Sequence, residues 1–180
     1  MLEGIRERDE AVSVLDVGCG LAHLLDHVDR DPRWRHVRYT GLDISARYLE
    51  AARARRPDAR LILMDVLESD ADLPDFDYAI LNGLFNYRGS ISQDVMRRYW
   101  QDLTSVVYRH CRRGLAFNAM STLVDWERDD LFHLPFDAAA AFVGGSLSRH
   151  FVLRHDYGAY EYTMYVYRDA GGHPRPPGAV

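Results

Sequence analysis

The chain has 180 residues, 47% of them hydrophobic, and a net charge of −5. That is enough apolar material for one substantial core, so a single domain is expected, and the acidic balance argues against a broad nucleic-acid footprint. All 22 basic residues are Arg, which excludes lysine Schiff-base chemistry and any phosphate loop that relies on Lys.

Met1–Glu10 is short and charged, with one or two helical turns expected. The apolar run Val12, Val14, Leu15, Val17 predicts a buried strand over Val12–Asp16. It breaks at Gly18-Cys19-Gly20, and Leu21, Leu24, Leu25 and Val28 then predict a helix from about Gly20 to Arg30, ending before Asp31-Pro32. A second strand, Val37–Leu42, leads through Asp43-Ile44-Ser45 into a helix over Ala46–Arg56, with Ser45 as its N-cap and Pro57 as its stop. A third strand over Arg60–Met64 ends at Asp65, and Glu68–Asp77 reads as a solvated acidic loop. A fourth, Tyr78–Leu81, runs into Asn82-Gly83-Leu84-Phe85-Asn86-Tyr87.

Ser92–Tyr108 is predicted helical, with Val95, Tyr99, Leu103 and Val106 on its apolar face. A strand over Gly114–Asn118, a polar and aromatic loop Ala119–Leu134, and a helix from Pro135 to about Leu147 follow. Strands Phe151–His155 and Tyr160–Arg168, joined by a short turn, must form an antiparallel hairpin. Residues 1–169 therefore read as one domain, and 170–180 as a disordered Gly/Pro tail. Alternating strands and helices imply an α/β, doubly wound, mostly parallel sheet with helices on both faces. No apolar stretch approaches a membrane span and no secretory signal stands at the start, which predicts a soluble, cytoplasmic chain. Cys19 and Cys111 form no metal or disulfide pattern.

Asp16, Asp43 and Asp65 fall at the carboxyl ends of the first three strands, where a doubly wound sheet binds its ligands. Gly18 and Gly20 let the backbone take unusual φ values and approach a ligand closely. Asp43, about 20 residues after the glycine loop, is placed to take both hydroxyls of a ribose. Asp65 can accept from an exocyclic amine such as that of adenine, and Ile44 and Val66 can sandwich a flat base. A nicotinamide dinucleotide fits less well, because His23 stands where its fingerprint requires a third glycine.

The series VLDVGCGLA, GLDIS, MDVLE and FDYAILNGLFNYR resembles the class I S-adenosylmethionine-dependent methyltransferases, over Ala11–Arg168. The resemblance implies a seven-stranded sheet of order 3-2-1-4-5-7-6 with strand 7 antiparallel, and S-adenosyl-L-methionine as cofactor. It implies that Asp16, Gly18 and Gly20 surround the methionine moiety, Asp43 binds the ribose and Ile44 packs on adenine. Asp65 and Val66 then reach the adenine edge, with Asn82 and Gly83 by the methionine end. The family's third small loop position is Ala22 here, expected in an ordinary helical φ at no cost. Only about ten residues precede the first strand, where family members carry a covering helix or two. The cofactor site is therefore expected to be open, or closed by a second copy, by a partner chain, or by residues upstream of this sequence.

The expected activity is methyl transfer to an O, N or S atom of a small-molecule acceptor. FNAMSTLVDW and FVLRHDYGAYEYTMYVYR are similar to segments of bacterial methyltransferases of cell-envelope and secondary-metabolite biosynthesis. His133 is the candidate base, with Tyr87 behind it, needed when the acceptor is a hydroxyl or phenol. Cys19 reads as a small residue filling the turn, and Arg53, Arg55, Arg56 and Arg60 as a solvated helix face. The alternatives are a related enzyme that uses the cofactor for cyclisation or elimination, and a non-catalytic cofactor-binding subunit of a larger partner.

Overall fold

A computed structural model describes residues 1–169; the expectation of a disordered tail over 170–180 lies outside the described residues. Strands β1 (Val12–Val17), β2 (Val37–Asp43), β3 (Leu61–Leu63), β4 (Phe76–Phe85), β5 (Cys111–Met120), β6 (His150–Arg154) and β7 (Glu161–Tyr167) form one sheet of order β3-β2-β1-β4-β5-β7-β6. The pairs from β3 to β5 are parallel. β7 runs antiparallel to both neighbours, as the hairpin requires. Strand order and direction match those implied by the resemblance.

The helices are α1 (His23–Arg30), α2 (Ala46–Arg55), α3 (Gln93–Arg109) and α4 (Phe136–Phe142), the last continued by a π turn over Val143–Leu147. Ser45 caps α2 by accepting from the Tyr48 N–H, and Ser92 caps α3 by accepting from Val95 N–H. Helix α3 buries Met96, Trp100, Leu103 and Val107, a stripe turned by about one residue from the predicted one. Val95 is left exposed. Trp100 decides the rotation, because burying the largest apolar side chain removes the most surface from water.

The two sheet faces carry separate apolar layers. Leu15, Val17, Leu81, Phe117 and Met164 pack with α3 and α4. Val12, Val14, Ile80, Ala116 and Tyr165 pack with Val28 of α1, with Trp34, and with Leu2 and Ile5. The amino-terminal residues form one 3-10 turn, Leu2–Gly4. Gly4 lies so flat on the Tyr165 ring that a Cβ would come within 2.2 Å of it.

Several expectations are corrected. α1 begins at His23 rather than Gly20, because Ala22 occupies the left-handed region at φ 58, ψ 40. Its expected helical φ at no cost is therefore wrong, since that conformation costs an L-residue roughly 1–2 kcal/mol. Its fully buried methyl packs in the layer formed by Leu25 of α1 and Ala52 of α2. β4 runs past Leu81 to Phe85 through an irregular stretch, since Leu81 faces Phe117 while Phe85 faces Ala119. The acidic loop is tied down: Asp70 binds Arg109 and His110, and Asp77 binds Ser13 and Arg112. Arg55 and Arg56 are not merely solvated. Arg55 donates to the Leu21 carbonyl at 2.9 Å, and Arg56 pairs with Asp26, Asp29 and Asp58, joining α2 to α1 and the glycine loop.

Candidate active site

The glycine loop folds back over the end of β2, with Gly18 and Cys19 both donating N–H bonds to the Leu42 carbonyl at 2.8 and 3.0 Å. Gly18 and Gly20 adopt φ +69 and +52. A Cβ at Gly18 would strike Leu84, whereas at Gly20 it would meet nothing within 4 Å. The Gly20 backbone therefore faces open space. Below it lies the Asp43 carboxylate, buried, with Oδ2 accepting from Gly20 N–H at 2.9 Å and Oδ1 from Ser45 N–H at 2.8 Å. Each oxygen is held by one backbone donor and keeps capacity to accept a second.

Gly18, Gly20, Asp43, Ile44, Asp65 and Val66 line one cleft of about 430 Å³ at the carboxyl ends of β1 to β3. Ile44 is 69% exposed and Val66 is buried. Asp65 accepts from Leu67 N–H through Oδ1 at 2.9 Å. Tyr48, Met64, Leu84, Tyr99 and Leu103 are among its other wall residues and are not among the site residues expected from sequence. In the sequence Tyr99 and Leu103 belong to an apolar helix face, and nothing in α3 itself signals that this face reaches the cleft.

Asp16 does not line the cleft. Its carboxylate is buried beneath the loop and accepts from the Tyr39 hydroxyl at 2.8 Å. Burial pushes its pKa up to about 7, the Tyr39 hydrogen bond opposes this, and the Asp43 charge adds to it. Cys19 is buried alongside, its thiol pushed up to about 12 by burial and then by the charges of Asp16 and Asp43. It is an inert filler of the turn. Gly41 makes room for this layer: a Cβ there would stand 2.7 Å from Cys19 Sγ and 2.9 Å from the Tyr39 oxygen.

Asn82 lies outside this cleft and lines a second, polar one of about 330 Å³, together with Asn118, Arg154, Tyr157 and Glu161. Gly83, at φ +77, donates its N–H to Asn118 Oδ1 at 2.7 Å. Asn118 Nδ2 in turn donates to Glu161 Oε2. The two base candidates line neither cleft. His133 is buried, and its Nδ1 lies 2.7 Å from the Ser121 carbonyl, which can only accept, so the proton sits on Nδ1. Nε2 receives the Arg128 N–H at 3.4 Å. Tyr87 is 67% exposed and bridges to Leu131. A further cleft, of about 610 Å³, lies by the amino ends of β1 and β2, lined by Arg8, Trp34, Arg35 and His36 among others. It contains none of these groups.

Residues 15–117 match the family model described as a methyltransferase domain. A Mycobacterium tuberculosis protein provisionally named a methyltransferase is 31% identical over 159 residues, covering 86% of this chain and 92% of its own length. Among solved structures, the magnesium protoporphyrin IX methyltransferase of Synechocystis, with S-adenosylmethionine bound, superposes with a TM-score of 0.62 at 12% identity, covering 89% of this chain and 71% of that one. The CurJ carbon methyltransferase superposes at 0.64 and 12% identity, covering 92% of this chain and 50% of that one. Both likenesses are of fold. The matched domain spans more than half of the sequence and the mycobacterial relative nearly all of it, so this chain belongs to the class I S-adenosylmethionine-dependent methyltransferases.

Proposed function

We propose that this protein moves a methyl group from S-adenosylmethionine to an oxygen, nitrogen or sulfur atom of a small-molecule acceptor in a bacterial biosynthetic pathway. One observation carries the donor side: the Asp43 carboxylate and the open Gly20 backbone share a cleft walled by Ile44 and Val66. Its volume lies within the range of small-ligand sites. In this reading Asp43 takes the ribose hydroxyls, Ile44 and Val66 flank the adenine, and Asp65 accepts from its amine. Gly18 and Gly20 border the methionine portion, Asp16 supports the loop from below, and Asn82 and Gly83 stand at its far end.

Bound there, the cofactor supplies a methyl carbon made electrophilic by its sulfonium. The chain's own task is to align the acceptor and keep water out. The net charge of −5 supports a small acceptor over nucleic acid. The Synechocystis neighbour is named for a tetrapyrrole, itself a small-molecule acceptor. A base helps when the acceptor is a hydroxyl or phenol. His133 and Tyr87 are the candidates from sequence, and His133 offers Nε2 once the Arg128 N–H is given up. Among the described residues no helix is long and apolar enough to cross a membrane. A cytoplasmic location belongs to this reading and is supported by two free, buried cysteines.

A second reading, a cofactor-binding subunit completed by a second copy or another chain, draws on the exposed apolar rim of Ile44, Tyr48 and Leu67. Turnover by the isolated chain separates the two. Calorimetric titration with S-adenosylhomocysteine tests the donor site. Saturable binding is expected, weakened about 100-fold in Asp43→Ala, since hydrogen bonds to a charged group are worth about 1.5–3 kcal/mol each. A folded wild-type chain that does not bind overturns the proposal.

A further inference from the structure

Building on the methyltransferase reading, we propose that the polar cleft is the acceptor subsite and that Glu161 of β7 receives the acceptor's N–H or O–H. Three consecutive residues connect the clefts. Leu84 walls the donor cleft, Asn82 lines the polar one, and Gly83 lies between them at φ +77. A Cβ at Gly83 would meet nothing within 4 Å, so the chain leaves open space at the junction.

The same junction orients the carboxylate. Asn118 is 6% exposed, and its amide is fixed by use at both ends: Oδ1 accepts from Gly83 N–H and Nδ2 donates to Glu161 Oε2. An amide N–H requires a lone pair opposite it, so Glu161 is held as an acceptor. Among the described residues no hydrogen bond or ion pair ends on Oε1, and Glu161 lines the cleft. Several of the neighbouring polar groups are already engaged. The Tyr157 and Thr163 hydroxyls bond each other at 3.0 Å, and Arg154 Nε binds Asp156 at 2.6 Å. Glu161 thus keeps capacity to accept in a cleft of about 330 Å³, at the small end for ligand sites, whose lining also includes Glu3 and Met1. The chemistry fits a small polar amine or alcohol and disfavours a large apolar acceptor.

In the step this implies, the acceptor's lone pair forms the new bond to the methyl carbon. The carbon–sulfur bond breaks with its electron pair left on sulfur, and the acceptor's proton passes along the hydrogen bond to Glu161 Oε1. Glu161 thereby performs inside the cleft the task for which His133 and Tyr87 are candidates outside it.

The test uses the ¹⁵N-labelled chain, saturated with S-adenosylhomocysteine and titrated with ethanolamine, a small probe carrying both an ammonium and a hydroxyl. Saturable NMR shifts of the Gly83 N–H and the Asn118 side-chain amide are expected. Glu161→Gln should weaken this response about tenfold or more while S-adenosylhomocysteine binds within about twofold of wild type. Asn82→Ala, at an exposed position, should weaken it about threefold with the fold intact. Absent shifts in wild type, or equal shifts in Glu161→Gln, overturn the acceptor subsite. Failure of S-adenosylhomocysteine to bind wild type, read before ethanolamine is added, is instead the failure of the methyltransferase reading and takes this proposal with it.

Discussion

The cleft proposed for the donor takes its glycines and carboxylates from short stretches at the carboxyl ends of β1, β2 and β3, with Tyr48, Leu84, Tyr99 and Leu103 added from α2, β4 and α3, whereas the polar cleft draws Asn82, Asn118, Arg154 and Glu161 from four different strands. In the first, a turn and the carboxylate at the next strand end meet through one bond, Gly20 N–H to Asp43. In the second, Gly83, Asn118 and Glu161 meet only because β4, β5 and β7 lie side by side, with Asn118 opposite Thr163 and Met120 opposite Glu161. The walls differ too: Ile44, Val66, Leu84 and Leu103 against amides, carboxylates and hydroxyls. In the assignment proposed above, the polar contacts of the cofactor site come from portable local pieces. The proposed acceptor site depends on how the far edge of the sheet is assembled.

Substitutions can break one cleft and spare the other. The largest effect is expected at Gly114, where a Cβ would stand 2.3 Å from the Val166 carbonyl across the β5–β7 ladder. Gly114→Ala should cost about 3 kcal/mol by overpacking against backbone, lowering the melting temperature by about 6–12 °C. Below its melting point the variant should bind S-adenosylhomocysteine nearly as wild type does, while ethanolamine loses its response at Asn118. The reverse pattern is expected of Asp43→Ala, which should lose about 100-fold in donor binding by calorimetry with the β5–β7 register intact.

Asp16 is buried outside the cleft, paired with Tyr39. Its folded pKa, about 7, lies above the ordinary carboxylate value of 3.8. The protonated group therefore favours the fold fully below that ordinary value, and the contribution is lost as pH rises through 7. Denaturant titration should show wild-type stability falling by about 1 kcal/mol from pH 6 to pH 7, with this slope absent in Asp16→Asn. The smallest effect is expected at Ala22, whose left-handed backbone suits glycine. Ala22→Gly should raise stability by about 0.5–1 kcal/mol in the same assay, and a loss would show that the buried methyl outweighs the strain.

Much of the fold is legible in the residues. Asp16, Asp43 and Asp65 mark the ends of three adjacent strands; β1 reads as a nearly continuous apolar run because it is buried on both faces, while β2 and the edge strand β3 are partly exposed. The short Asp156–Ala159 turn makes the last pairing antiparallel by chain length alone. The ends of elements were less legible. β4 continues through Asn82–Leu84 because an unpaired stretch there is held by Asn118, a residue of another strand. Asp70 and Asp77 read as solvated because their arginine partners lie more than thirty residues away.

The sequence by itself determined the class of fold and the family, since both rest on patterns a few residues long whose meaning does not change with their surroundings. Only the tertiary structure decided that the Asp16 carboxylate pairs with Tyr39 outside the cleft, that Ala22 is left-handed, and that Tyr99 and Leu103 wall the same cleft as Asp43. It alone set Glu161 beside Asn118. Burial and hydrogen-bond partnership belong to pairs of residues brought together by folding, and no single stretch of chain encodes them.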